Sequence, residues 1–258
     1  MGEKEDIQKL LNFLLEYSTT LMGVGVQTAR VVHNTRRLAE AYGYEVDMTL
    51  FQKSIIMTLT DKEDELHPKT SVDKIKSLPI NFELISTLSA LSWFAFDHRP
   101  SLEEVQQKFR ELVAKPRMSR WVVLFLVACA NASFCRLFSG DAMAVGMVFL
   151  ATLVGFFVRQ EMMARHMNHL FVFVTSAFIA SMIGGAAVRF HLGNTPEIAL
   201  ASSVLYLIPG VPMINSIIDL LDGHVLAGVS RFINASLLII CIAIGLSITL
   251  LLLGVNTL

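Results

Sequence analysis

Phe232-Ile-Asn-Ala-Ser-Leu-Leu-Ile-Ile-Cys-Ile-Ala-Ile-Gly-Leu-Ser-Ile-Thr-Leu-Leu-Leu-Leu-Gly254 carries no charge from end to end. A bilayer core of about 30 Å is crossed by roughly 20 apolar residues of helix, so this stretch reads as a membrane span and decides the fold class. Four more segments upstream have the same character: about Ser119–Phe138, Asp141–Val158, His169–Val188 and Ile198–Ile218. The first two are the shortest, and a tight hairpin with Ser139-Gly140-Asp141 as its turn is an alternative reading of them. The expectation is a membrane α-helical protein with about five transmembrane helices at 118–258, preceded by a cytosolic α+β domain at 1–117.

Charge separates the two parts. The chain has 258 residues, 53% of them hydrophobic and 17% charged. The last lysine is Lys115, and from Ser119 onward six arginines and five acids remain. Water surrounds the first part and lipid the second. Arginine and lysine also set orientation, because cytoplasmic loops are enriched in them. Lys115, Arg117 and Arg120 precede the first span, Arg159 and Arg165 fall between the second and third, and Arg231 falls between the fourth and fifth. The opposite side has Arg136 and Arg189. This bias predicts a cytosolic head and an outward carboxyl terminus. An odd span count allows a homologous second half to sit inverted, as in many transporters. Small residues Ala177, Ser181 and Gly185 recur every four positions, a face for close helix packing. A net charge of -1 argues against nucleic acid as a partner. The start, MGEKEDIQKL, lacks the apolar core of a signal peptide.

The fourth span is interrupted by Leu207-Ile-Pro-Gly-Val-Pro-Met-Ile-Asn215. Proline has no N–H and clashes with the preceding turn, so Pro209 is expected to free the carbonyl of Leu205 and Pro212 that of Ile208. Gly210 permits unusual backbone angles. At membrane depth, freed backbone groups persist only where protein or a water-filled cavity meets them. The reading is a broken helix at 198–218, with Pro212 as the first residue of its second half. The N–H groups of Met213, Ile214 and Asn215 would then face the break, at a helix end that attracts anions. Pro209, Gly210, Pro212, Met213 and Asn215 are the candidate substrate-binding residues. Asp219 and Arg231, just beyond, are candidates for gating or coupling, and a pairing of the two across the turn is an equally good reading. Asn131, Asn234, Ser133 and Ser236 read as buried polar groups of the span region.

In the head, Ile7, Leu10, Leu11, Leu14, Leu15, Ser18 and Met22 follow helical spacing, and a second helix covers about Thr28–Tyr42. Strands are expected at Tyr44–Leu50, Ser54–Thr60 and Leu66–Ile75, the last two separated by a charged turn, Asp61-Lys62-Glu63-Asp64. Helices follow near Asn81–Phe96 and Ser101–Ala114, where Ser101 and Glu104 form a capping box. No catalytic constellation stands out and no cofactor is expected. Gly23-Val-Gly25 lacks the third glycine of a dinucleotide loop and follows a helix. His166 and His169 have no third ligand nearby, and Cys129, Cys135 and Cys241 form no metal or disulfide framework. An enzyme is therefore not expected.

Several blocks together resemble the threonine/serine exporter family, most closely its split, single-half members. In the head these are Leu21-Met-Gly-Val-Gly25 with Arg30-Val31, Arg37-Leu-Ala-Glu-Ala-Tyr-Gly43 and Pro79-Ile-Asn81. In the membrane part they are Phe134-Cys-Arg-Leu137, Arg159-Gln160, Arg165-His166, Asn194-Thr-Pro196, Ile208 to Asn215, and Asp219, Gly223-His224, Gly228 and Arg231. Many members carry an acid after the position of Val31, where this chain has Val32. The resemblance implies efflux of small carboxylated solutes, C4-dicarboxylates such as succinate in split members and threonine or serine in fused ones, with proton coupling. It also implies a bacterial inner-membrane location and a separate small integral-membrane partner supplying the second half. A membrane-anchored sensor whose head binds a cytosolic ligand is the rival reading, although a plain anchor has no need of a broken helix.

Overall fold

The structure, a computed structural model, describes residues 2–62, 68–116 and 118–254, with side chains from Ile7 onward. Of the expected features, Glu63, Asp64, the start of the third strand at Leu66, and Arg117 lie outside the described residues. The chain forms two compact units. One consists of 1–116 with 211–233, the other of 117–210 with 234–258.

The first unit opens with α1 (Gly2–Gly23) and α2 (Thr28–Ala41). Between them the chain reverses at Gly25, which has φ +91°. The N–H of Gly25 donates to Met22 O and that of Val26 to Leu21 O, the paired bonds that satisfy the last carbonyls of a helix before a left-handed residue. A Cβ at Gly25 would be strained at this φ. The antiparallel strands β1 (Tyr44–Leu50), β2 (Ser54–Asp61) and β3 (Lys69–Lys74) stand in the order β1-β2-β3. Alternation puts Ile55, Met57 and Leu59 of β2 into the core, as a two-residue period requires. Edge strand β3 begins and ends in lysine, which discourages pairing with another chain. Helices α3 (Phe82–His98) and α4 (Leu102–Ala114) follow. Asn81 and Ser101 cap them, accepting N–H bonds from Leu84 and Glu104. The core closes around Tyr17, whose hydroxyl donates to Leu88 O at 2.8 Å and whose ring meets those of Phe13 and Phe109. Phe13 and Phe109 also pack edge to face, 5.6 Å apart. Such pairs add about 0.5–1.5 kcal/mol beyond their buried area.

The second unit is built from α5 (Arg120–Leu137), α6 (Ala142–Ala164), α7 (His169–Arg189), the short α8 (Pro196–Ser202) and a 3-10 turn at Leu205–Leu207. Asp141 caps α6 through Ala144 N and also accepts the N–H of Asn194 at 2.5 Å. Within this unit Asn131 donates to Thr152 Oγ1 at 2.7 Å and to Ser202 O at 3.1 Å, tying α5 to α6 and α8. Ala177, Ser181 and Gly185 are buried on one face of α7, and Ser181 Oγ meets Thr249 Oγ1 at 2.6 Å. Across the same contact a Cβ on Gly245 would lie 2.6 Å from Val174 O, so the glycine is needed for the close approach.

Two helices continue beyond the break: α9 (Gly210–Leu221) and α10 (Val225–Leu253). Among the described residues four helices, α5, α6, α7 and α10, are long and apolar enough to cross a membrane, and the count is five if the bent pair Pro196–Leu207 and Gly210–Leu221 is one span. The chain is thus mostly helical with a small three-stranded sheet near its start. Two spans outrun their expected ends. Helix α6 continues to Ala164, so Arg159 lies inside it instead of in a connection. Helix α10 starts at Val225, so Arg231 belongs to its second turn and not to the preceding loop. Asn234 and Ser133, expected to be buried, are exposed on this chain.

Candidate functional site

The break sits at Ile208-Pro209, between the 3-10 turn and α9. The residue before a proline is pushed out of the helical region, and Ile208 is extended at φ -60°, ψ 124°. The carbonyls expected to be free are recaptured. Leu205 O accepts the N–H of Ile208 at 3.1 Å, and Ile208 O accepts that of Gly210 at 2.8 Å. Helix α9 begins two residues earlier than expected, at Gly210. Pro212 therefore falls within its first turn, where a missing N–H costs nothing. Met213, Ile214 and Asn215 then donate within the helix, as the i to i−4 ladder dictates. Of the four donors a helix start leaves over, two belong to prolines and one is taken by Ile208, so Val211 alone keeps an N–H to offer. The open helix end expected for anions is thus largely closed. Gly210 does not adopt a positive φ.

What α9 does present is a reversed amphipathic face. Asn215 is 7% and Asp219 0% exposed, and Ser216 is buried beside them, whereas Ile214 is 61% and Leu221 81% exposed. Residues four apart share a face of a helix, so the polar stripe is the one that packs within its unit. Asn215 Nδ2 donates to Gly25 O at 2.8 Å. The Asp219 carboxylate accepts the N–H of Thr28 at 2.7 Å and its hydroxyl at 3.0 Å. Arg231 Nε lies 3.4 Å from Asp219 Oδ2, and its Nη2 lies 3.4 Å from Met22 Sδ.

The contact with Thr28 is a cap supplied from elsewhere in the chain. Thr28 is the first residue of α2, and Gln27 before it makes no side-chain cap. The orphan N–H and the partial positive charge of the helix start are met by Asp219, 191 positions away. The turn that places Asp219 and Arg231 together is well specified. Gly223 has φ +84°, its N–H donates to Leu220 O, and that of His224 to Asp219 O at 2.8 Å, the same helix-ending pattern as at Gly25. On α10, a Cβ at Gly228 would stand 2.9 Å from Ser216 O and 2.8 Å from Leu220 Cγ, so only glycine lets the two helices meet.

Of the residues singled out in the sequence, Asn215, Asp219 and Arg231 come together in the first unit, joined by Met22, Gly25 and Thr28. Pro212 and Met213 are partly buried in the first turn of α9, and Pro209 and Gly210 belong to the second unit. The role of Thr28 had no local signal, whereas Gly25 was legible as a glycine just past a helix. Asp222 is exposed in the turn. No group of three or more His, Cys, Asp or Glu that could hold a metal occurs among the described residues.

A family model described as "Putative threonine/serine exporter" matches residues 12–253. A protein of Klebsiella aerogenes named "Probable succinate transporter subunit YjjP" is 30% identical over 95% of this chain and 94% of its own length. Its namesake in Escherichia coli K12 is 28% identical over 98% of both chains. A "Probable threonine/serine exporter" of Mycobacterium tuberculosis is 23% identical over 94% of this chain but 46% of its own length. No solved structure matches the chain.

Proposed function

The chain belongs to the threonine/serine exporter family, and on that premise we propose that it is one subunit of a secondary exporter for small carboxylated metabolites. C4-dicarboxylates such as succinate are the favoured substrates, in line with the names of the two relatives matched along nearly their whole length. A separate small membrane partner supplies the second half. The Mycobacterium tuberculosis relative, more than half of which lies beyond the matched region, supports such a division of labour.

The observation that carries this reading is the interruption of an apolar segment at Ile208-Pro209. A span that only anchors gains nothing from it, whereas transporters place solute sites at discontinuous helices. Pro209, Gly210 and Pro212 shape the break, and Met213 and Asn215 adjoin it. In the arrangement seen, Asn215 is engaged by Gly25, and Asp219 with Arg231 holds the start of α2. Release of these bonds as the solute passes is the gating step we assign to Asp219 and Arg231, with the 1–117 head on the cytosolic side.

The test is efflux of labelled succinate or labelled threonine from proteoliposomes holding the chain together with the second membrane half. Succinate efflux that requires both proteins supports the proposal. Threonine efflux moves the substrate class, and efflux of neither refutes transport. In the same assay Pro209→Ala should restore a helical path through Ile208, leave insertion intact and abolish efflux.

A further inference from the structure

The second unit holds a cation, Arg159, that pairs with no acid among the described residues. Arg159 lies on α6, five residues before its end, and is partly buried. Its guanidinium carbon lies 4.9 Å from the ring centre of Phe173 and 5.6 Å from that of Phe156. Among the described residues it makes no ion pair and no hydrogen bond. An arginine inside a membrane helix is costly, and such residues mark solute or ion pathways. Aromatic faces repay part of that cost but leave the planar fork of donors unused, a fork shaped to take a carboxylate in two parallel bonds.

Two hydroxyls lie nearby, one weakly bonded and one without a partner. Tyr206 stands in the 3-10 turn that leads into the break. Its ring packs edge to face on Phe156, 5.9 Å away, the same ring that Arg159 approaches. Its hydroxyl occupies the space a Cβ on Gly155 would take, and its one acceptor, Ser176 O, is at 3.5 Å, the outer edge of a hydrogen bond. Ser176 is fully buried and its own hydroxyl has no partner. Buried hydroxyls are nearly always paired. A guanidinium and two hydroxyls are therefore packed into one region of α6, α7 and the 3-10 turn with no anion among them.

We propose that Arg159, with the Tyr206 hydroxyl beside it, binds the carboxylate of the transported solute. This rests on the exporter reading and names the group that recognises the substrate, in place of the helix start that the prolines close. The rings of Phe156 and Phe173 cover the charge until an anion takes it.

The competing explanation is an arginine that only stretches its charge to the membrane surface from near a helix end. Proteoliposome efflux separates the two, with KM measured for succinate and for its monoamide. R159Q should raise the succinate KM about 10- to 100-fold, the loss expected for charge-assisted bonds, and should erase the preference for succinate over the monoamide while insertion is unchanged. R159K, which keeps the charge without the fork, should fall between, and Y206F should raise KM several-fold. An unchanged KM and preference in R159Q overturn the assignment and leave the exporter reading standing. If R159Q does not insert, unchanged values in both R159K and Y206F overturn it. Failure of the wild-type pair to move any carboxylate is a different result, which removes the exporter reading and this inference with it.

Discussion

Replacing Asp219 by alanine should loosen the start of α2 far more than a surface change would. Asp219 is completely buried and Arg231 has a side chain 14% exposed, so truncation leaves a shielded guanidinium unpaired and deprives Thr28 of the acceptor for both its N–H and its hydroxyl. Removing one partner of a buried ion pair costs about 3–5 kcal/mol. At the lower end, about 3 kcal/mol corresponds to roughly 100-fold in an equilibrium constant. The direct assay is amide hydrogen exchange of the solubilised protein, followed in the peptide that spans Val24 to Val31, because exchange there reports local opening. Exchange in that segment should accelerate by about 100-fold in Asp219→Ala, with β2 as an unaffected reference. Arg231→Met should cost less, since Thr28 still engages the carboxylate. The double variant should be less damaged than the sum of the two by at least about 1 kcal/mol, the mark of residues in contact. Acceleration below threefold, or strict additivity, would refute the capping role assigned to Asp219.

Three further outcomes are expected. Gly228→Val should force α9 and α10 apart, because even a Cβ there meets Ser216 O at 2.9 Å; a loss of about 1–3 kcal/mol should appear as a lower Tm. Asn131→Leu removes two bonds that join α5 to α6 and α8 and should cost about 0.6–2 kcal/mol, read from unfolding in mixed micelles. Burial pushes the Tyr42 phenol from 10.0 up to about 12, so its contribution to stability is complete below pH 10 and is lost as pH rises toward 12. Tyr42→Phe should flatten that part of the stability profile.

Much of the head was legible because its elements carry local instructions. β1 was expected at Tyr44–Leu50 and lies there, since alternating residues bounded by Gly43 and a polar turn leave little choice. The caps at Asn81 and Ser101 act within three residues of chain. The spans were visible for the same reason, and Ser139-Gly140-Asp141, expected as the turn between the first two, separates α5 from α6. Errors gathered where two rules compete. Composition ended the second span at Val158, where charge begins, but the backbone ladder needs no apolar side chain and continues through Arg159 to Ala164.

The sequence by itself determined that charged residues gather before Ser119 and long apolar segments follow, that the fourth of these segments is interrupted, and that Asn215 and Asp219 share a helix face. These follow from hydropathy, from the missing N–H of proline and from helical periodicity, all of which act over a few residues. Only the tertiary structure decided what those features do. It returned the carbonyls of Leu205 and Ile208 to neighbouring N–H groups, turned the polar face of α9 inward, and brought Asp219 to the first N–H of α2. An orphan backbone group is satisfied by whatever acceptor the fold brings within about 3 Å, and no local pattern records which residue, 191 positions away, that will be.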